Sequence, residues 1–290
     1  MSTTKKTIGR FAPSPTGDLH FGSLVSAVAS YLQARSDGGK WLIRVEDIDP
    51  PREVDGSAAS IIHDLSMIGL NSDEKILFQS ERSRFYQLAC EQLLSHGLAY
   101  WCGCSRKDLP DSGVYPGTCR NGLPTGKQAR SIRIKVDTKT IQFTDALQGY
   151  QEENLSQSVG DFVIKRADGL YAYQLAVVVD DFFQNITQVV RGADLLDSTA
   201  RQIHLQNCLG FPLPEYAHIP LVLGPDGKKL SKSLDSPSLG DQERANTLRR
   251  ALLFLGQDAP QGELDSIWDW AKKNWSMDKV THQPRKMSEF

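Results

Sequence analysis

Residues 10–24 read RFAPSPTGDLHFGSL, and this stretch decides how the rest of the chain is taken. Upstream, Thr7 to Ala12 has the look of a short strand. Pro13 and Pro15 then forbid its continuation, because proline fixes φ and removes a backbone donor. Beyond Gly17, Leu24, Val25, Val28, Ala29 and Leu32 recur at helical spacing as far as Gly38-Gly39. A strand that breaks hard and feeds a helix delivers its loop to the carboxyl edge of a sheet, where open α/β sheets bind ligands. Small residues there admit a nucleotide to the backbone, and the helix start offers unpaired N–H groups to phosphate. His20 is then a donor beside that phosphate. The alternative at this point is a proline-stiffened turn whose histidine merely caps the helix.

Working outward, Lys40 to Val45 (KWLIRV) reads as a second strand ending in the acidic EDID, with helical patterns around Val54–Ile68 and Ser80–His96. Alternating strands and helices predict a parallel α/β sheet. Leu98 to Gly126 is rich in Gly, Pro, Cys and Ser, without a period, and reads as an inserted, loop-dominated segment. RSIRIKV, DFVIKR, YAYQLAVVV and ITQVVR read as β-like runs, Asp194–Leu209 as a helix and IPLVLG as a further short strand. Gln242–Leu255 and Glu263–Trp275 carry amphipathic helical patterns.

The 33 Lys and Arg against 35 Asp and Glu give a net charge of −2, so any nucleic-acid contact must come from local patches. No apolar run approaches the roughly 18 residues a membrane span needs, and MSTTKKTIGR lacks the apolar core of a secretory signal. No membrane association and a cytoplasmic location are expected. The five cysteines are an odd number for a disulfide framework. Three of them, Cys102, Cys104 and Cys119, fall within 18 residues and suit zinc. The competing view is a loop of reduced thiols. Cys90 and Cys208 sit in apolar helical patterns and read as core.

A second chemistry-bearing stretch is GPDGKKLSKSLD, residues 224–235. Lys228, Lys229 and Lys232 on a glycine-bounded loop suit phosphate, though position 229 is Lys where a Walker A loop needs Gly. Alone, such a loop is more often a solvated surface turn.

His20-Phe21-Gly22-Ser23 and Lys229-Leu230-Ser231-Lys232-Ser233, in that order and about 200 residues apart, resemble the HIGH and KMSKS signatures of class I aminoacyl-tRNA synthetases. RFAPSPTGDLHFG, RVEDIDPPR and VVRGADLL resemble the glutamyl and glutaminyl branch, over roughly residues 7–240. Leu for Met is volume-conserving; Ser for the second His removes one imidazole and leaves more of the charge stabilisation to His20, the helix start and Lys232.

The resemblance implies a Rossmann-like parallel sheet of class I synthetase type, with a zinc-bearing insertion and a small helical C-terminal part. The implied division is 1–97 and 191–240 for the two halves of the catalytic domain, 98–190 for the insertion and 241–290 for the helical end. It implies His20 and Lys232 as catalytic residues, and His20, Gly22, Lys229, Ser231 and Lys232 around ATP, which enters with Mg²⁺. For L-glutamate it implies Arg10, Phe11, Ala12, Pro13, Ser14, Glu46, Tyr173 and Arg191: arginine for a carboxylate, because the guanidinium fork pairs bidentately, and Glu46 for the ammonium. A related subfamily ligates metal with Cys-x-Cys, Tyr and Cys, which makes Tyr115 the fourth ligand of a structural zinc, with water or Asp111 as alternatives. Only 57 residues follow Ser233, too few for a large anticodon-reading domain. That points to the short branch members that activate glutamate without tRNA and attach it to queuosine in the anticodon of tRNA(Asp). The other readings are a minimal enzyme charging the tRNA 3′ end and a non-catalytic glutamate or ATP sensor. A monomer is expected.

Overall fold

The computed structural model describes residues 6–224, 227 and 241–286. Its first half is β1 (Ile8–Phe11), α1 (Phe21–Ser36), β2 (Lys40–Val45), α2 (Ser57–Met67), β3 (Leu77–Phe78) and α3 (Ser83–Ser95). Then come β4 (Ala99–Cys102), β5 (Ser131–Ile134), β6 (Ile141–Asp145), β7 (Gly149–Glu153), the single turn α4 (Leu155–Ser158), β8 (Val163–Lys165) and α5 (Tyr173–Phe183). The chain continues through β9 (Gln188–Gly192), α6 (Leu196–Leu209), β10 (Glu215–Ile219), β11 (Val222–Leu223), α7 (Asp241–Phe254), α8 (Leu264–Asn274) and β12 (Arg285–Lys286).

β1, β2 and β3 pair in parallel in the order β1-β2-β3, and β9 pairs in parallel with β10. The two sets adjoin where the Thr187 N–H donates to the Ile8 carbonyl at 3.0 Å and the Ile8 N–H to the Thr187 hydroxyl at 2.8 Å. The chain therefore builds outward from β1 in one direction and from β9 in the other. The crevice between their carboxyl ends is the switch point at which such sheets bind ligands.

Strands buried on both faces need apolar residues at consecutive positions, with alternate side chains serving alternate layers. Trp41 and Ile43 of β2, Val190 of β9 and Ala217 and Ile219 of β10 join the core formed with α1, α7 and α8. Their neighbours Leu42, Val189 and Tyr216 point the other way and meet Ile203 of α6. α1 buries Leu24, Val25, Val28 and Leu32 completely; burial of a side chain of this size contributes about 1.5–3 kcal/mol. α8 is locked on by Trp268, whose indole N–H donates to the Ile68 carbonyl at 2.6 Å and whose ring meets Tyr31 edge-on. Gly69, at φ +90°, faces that indole, and a Cβ there would come within 3.0 Å of its nitrogen.

The region after residue 97 divides in space. β4, β5 and β8 form a small antiparallel sheet that carries the cysteines. The β6–β7 hairpin instead extends the main sheet, with β6 parallel to β10 and Asp145 opposite Tyr216. Two sequence-based expectations are corrected. YAYQLAVVV is the start of α5, a helix buried from Leu175 to Asp181; a helix enclosed on all sides is apolar all round and loses its period, leaving a β-branched run to suggest a strand. The strand expected at IPLVLG lies mainly before it, in β10, and Pro220 separates it from the two-residue β11.

Candidate active site

At the β1/β9 crevice lies a cavity of about 480 Å³. It is lined by Arg10, Phe11, Ala12, Pro13 and Ser14 from the end of β1, His20 and Gly22 from the start of α1, and Glu46, Tyr173 and Arg191. Residues spread over 182 positions of sequence, from 10 to 191, are thus brought to one wall-to-wall site. Lys229, Ser231 and Lys232 lie outside the described residues. Thr16, Ser26, Arg52 and Asp194 also line the cavity and were not singled out, although RVEDIDPPR and VVRGADLL contain two of them.

His20 does cap α1. Its Nδ1 accepts the Ser23 N–H at 3.1 Å, and its Nε2 lies 2.9 Å from the Ser23 hydroxyl. Capping and lining the cavity are compatible, because the ring lies back over the first turn. Gly22 permits this: a Cβ there would meet the imidazole at 3.3 Å. A helix start presents partial positive charge to whatever occupies the cavity.

Beneath the cavity floor is a charge network with almost no solvent contact. Arg44 is fully buried and donates to Asp181 at 2.8 Å, and the Arg10 Nε–H reaches the same carboxylate oxygen at 3.3 Å. Burial opposes ionisation of Asp181, but Arg44 and Arg10 outweigh it and hold the carboxyl below its usual range. Behind it, Asp180 accepts from Arg82 at 3.0 Å, Tyr86 at 2.6 Å and Gln79 at 3.0 Å. Asp181 therefore fixes Arg10 by its Nε, and the two Nη groups have no hydrogen-bond partner among the described residues. Glu46 is the contrast. Burial lifts its carboxyl to about 7 against the pull of Arg44 and Arg10, and its Oε1 has no hydrogen-bond partner among the described residues. A buried acceptor without a donor is costly unless a ligand supplies one, and an ammonium group would satisfy it.

Arg191 is held differently. Its Nε–H meets His218 at 2.9 Å, Nη1 meets Gln202 at 2.9 Å and Nη2 meets Thr199 at 2.9 Å. Its contacts to the Tyr173 hydroxyl (3.5 Å) and the Leu195 carbonyl (3.3 Å), both cavity-lining residues, are long. These are the two a carboxylate can replace. Burial raises the Tyr173 phenol, so it remains a neutral hydrogen-bond partner.

A second cluster stands in the insertion. The sulfurs of Cys102, Cys104 and Cys119 lie within 4.8 Å of one another. The Tyr115 hydroxyl is 3.3 Å from the Cys102 sulfur and 3.6 Å from that of Cys104, and the Cys104 and Cys119 sulfurs are 3.6 Å apart. A tetrahedron with metal–sulfur bonds of about 2.3 Å and a metal–oxygen bond of about 2.0 Å needs sulfur–sulfur edges of about 3.8 Å and sulfur–oxygen edges of about 3.5 Å. The three sulfurs could hold a metal ion, and the Tyr115 hydroxyl lies beside them. Burial tends to raise the Cys102 thiol, but hydrogen bonds from Tyr115, the Cys104 amide and Arg133 bring it down to about 7. The Arg133 guanidinium lies 3.8 Å over the Tyr115 ring.

Residues 6–112 and 118–254 match the family described as tRNA synthetases class I (E and Q), catalytic domain, and the chain belongs to that family. Among solved structures it superposes with a TM-score of 0.83 on a glutamate tRNA ligase from Elizabethkingia meningosepticum in complex with its amino acid, at 27% identity over 98% of this chain and 67% of that one. A glutamate-tRNA synthetase from Elizabethkingia anophelis gives 0.82, also at 27% identity, over 97% of this chain and 68% of that one. Within the family it is 51% identical, over 95% of its length and 96% of theirs, to the glutamyl-Q tRNA(Asp) synthetase of Dechloromonas aromatica. The protein of the same name from Chromobacterium violaceum is 48% identical over the same shares. The chain is thus a member of the glutamyl-Q tRNA(Asp) synthetases, ligase-type enzymes of class I.

Proposed function

We propose that this enzyme activates L-glutamate with ATP, without needing tRNA, and transfers the glutamyl group to queuosine in the anticodon of tRNA(Asp). In the first step a glutamate α-carboxylate oxygen attacks the α-phosphorus of ATP, and the bond to the bridging oxygen breaks as pyrophosphate leaves. In the second, a queuosine hydroxyl attacks the adenylate carbonyl and AMP leaves. The name shared by relatives about half identical over nearly the whole chain favours this reading over charging of the tRNA 3′ end.

The observation that carries the glutamate assignment is the pairing, in one cavity, of a fixed arginine fork with a buried carboxylate whose Oε1 is 3.6 Å from Arg44 and has no hydrogen-bond donor among the described residues. Arg10, whose two Nη groups have no hydrogen-bond partner among the described residues, takes a carboxylate; Arg191 takes one through its two outer donors; Glu46 takes the ammonium. Tyr173 and Ser14 add neutral hydrogen bonds, and Phe11, Ala12 and Pro13 shape the wall. Because these groups are held before substrate arrives, little reorganisation accompanies binding. His20 and the α1 start would stabilise charge on the triphosphate, with Gly22 leaving room for it, and the likeness of Lys229–Ser233 to KMSKS assigns Lys229, Ser231 and Lys232 to ATP as well. Mg²⁺ accompanying ATP supplies further charge neutralisation.

Zinc is the metal we assign to Cys102, Cys104, Tyr115 and Cys119. Its role is structural, since the cluster lies at the end of β4 and in the loop that follows it, and not among the cavity-lining residues. We further propose a monomer in the cytoplasm; no helix among the described residues is long and apolar enough to cross a membrane.

Pyrophosphate exchange with glutamate and ATP alone tests the first step. Exchange that requires glutamate and proceeds without RNA is expected. No exchange unless tRNA is added would overturn the reading, and no exchange under any condition would favour a sensor.

A further inference from the structure

Behind Arg191 a buried carboxylate and imidazole stand in line, and neither lines the cavity. Asp145, at the end of β6, places Oδ2 2.6 Å from His218 Nδ1. Its Oδ1 accepts the backbone N–H of His218 at 3.0 Å, of Leu147 at 3.0 Å and of Gln148 at 2.9 Å. Four donors on one carboxylate keep it ionised: burial works against the charge, yet His218 and the amides hold the carboxyl below its usual range. An ionised carboxylate only accepts, so His218 must carry its proton on Nδ1. On the other side of the ring, Arg191 Nε–H can only donate, and at 2.9 Å it needs the Nε2 lone pair. The two neighbours demand the same tautomer. Burial, with the charges of Arg191 and Arg10 nearby, pushes the imidazole below its ordinary range and keeps it neutral.

We infer that Asp145 and His218 are positioning residues for substrate recognition: the Asp145–His218 pair sets a neutral Nδ1–H imidazole whose Nε2 clamps Arg191 by its Nε, aiming the guanidinium's outer donors at a substrate carboxylate. The inference rests on the reading that Arg191 meets glutamate. Three inner donors are held at 2.9 Å by His218, Gln202 and Thr199, which leaves the rotamer no freedom. Asp145 belongs to the hairpin that follows the metal-bearing loop, so the glutamate end of the cavity is completed by a segment inserted between the two halves of the sheet.

His218→Asn keeps an amide near Asp145 but has no group at the Nε2 position; His218→Gln restores an acceptor oxygen there. Loss of a hydrogen bond to a charged group predicts that His218→Asn and Asp145→Ala raise KM for glutamate on the order of 30-fold. The same variants should change kcat and KM for ATP by less than about threefold, and His218→Gln should recover most of the loss. Equal KM for glutamate in His218→Asn and His218→Gln, or parallel losses in all three constants, would overturn the clamp. Long-range ¹H–¹⁵N spectra of the histidines read the tautomer without substrate: a protonated Nδ1 and a free Nε2 on His218 are expected, and the opposite tautomer contradicts the inference. If the tautomer is as expected but the wild-type enzyme shows no glutamate-dependent exchange, the substrate reading fails and the clamp stands.

Discussion

The end of the cavity where we place glutamate and the insertion where we place a metal solve the same problem in opposite ways. Each must hold polar side chains at fixed positions. The cavity does so with charge: Arg10, Arg44 and Arg82 are neutralised by Asp180, Asp181 and Glu46 inside a core assembled from β1, β2, α3 and α5. The sheet of β4, β5 and β8 shares a larger core through Ala99, Ile132, Ile134 and Ile164, but the loop between β4 and β5 has no such core. Its apolar centre is Tyr100, Cys102, Cys104, Tyr115 and Cys119, with Leu109 against it, too little to order a loop of this length unaided. Three sulfurs and the Tyr115 hydroxyl converge there, and the metal we place among them would do what a hydrophobic cluster does elsewhere. The lesson is that charges can be buried where a large core already exists to carry their desolvation, whereas a coreless segment gains more from one metal.

Four substitutions or conditions test that contrast, beginning with the largest effect. Asp181→Ala leaves Arg10 and Arg44 without their shared counterion, and removing one partner of a buried pair costs about 3–5 kcal/mol. The urea midpoint should fall accordingly, and a loss under about 1 kcal/mol would show that the network does not hold the cavity. Cys104→Ser should empty the metal site in elemental analysis and abolish RNA charging, while glutamate-dependent pyrophosphate exchange stays within about threefold of wild type. Retained metal would break the ligand assignment; lost exchange would show that the two regions are not independent. Tyr115→Phe keeps the ring under Arg133 and removes only the oxygen. Metal retention against a chelator should weaken by on the order of tenfold, because water can take the fourth position. The smallest effect concerns pH. Glu46 must be ionised to receive an ammonium group, and its carboxyl titrates at about 7 in the empty cavity. Glutamate affinity should rise with pH through that value, level off above it, and fall by up to about tenfold per unit below it. His218, held below its usual range, stays neutral through this window. Glu46→Gln should bind more weakly at high pH and lose the dependence; an unchanged profile in that variant would assign the titration elsewhere.

Much of the cavity was legible because its parts sit in short runs whose chemistry is local. A proline-stopped strand, a histidine at a helix start and an arginine at a strand end each declare themselves within ten residues. The supporting layer did not. Asp181 reaches Arg10 across 171 positions and Asp145 reaches His218 across 73, and a single carboxylate in an apolar run gives no sign of its partner. α5 hid both Asp180 and Asp181 by resembling a strand, since enclosure removed the polar face that reveals a helix. The β6–β7 hairpin hid Asp145, because its outer positions are polar and the turn between its strands, Ala146 to Gln148, has no glycine. The cysteines were plain from spacing, but their sheet was not, because β4, β5 and β8 are three- or four-residue strands far apart in the chain. Sequence thus displayed the groups that line the cavity and concealed those that hold them still.

Whether glutamate activated in the β1/β9 cavity ends on the anticodon can be read directly: incubation with labelled glutamate, ATP and queuosine-containing tRNA(Asp) is followed by ribonuclease digestion and identification of the labelled fragment. Label is expected on the queuosine-bearing anticodon fragment and none on tRNA(Asp) lacking queuosine. Label on the 3′-terminal adenosine would contradict transfer to the anticodon.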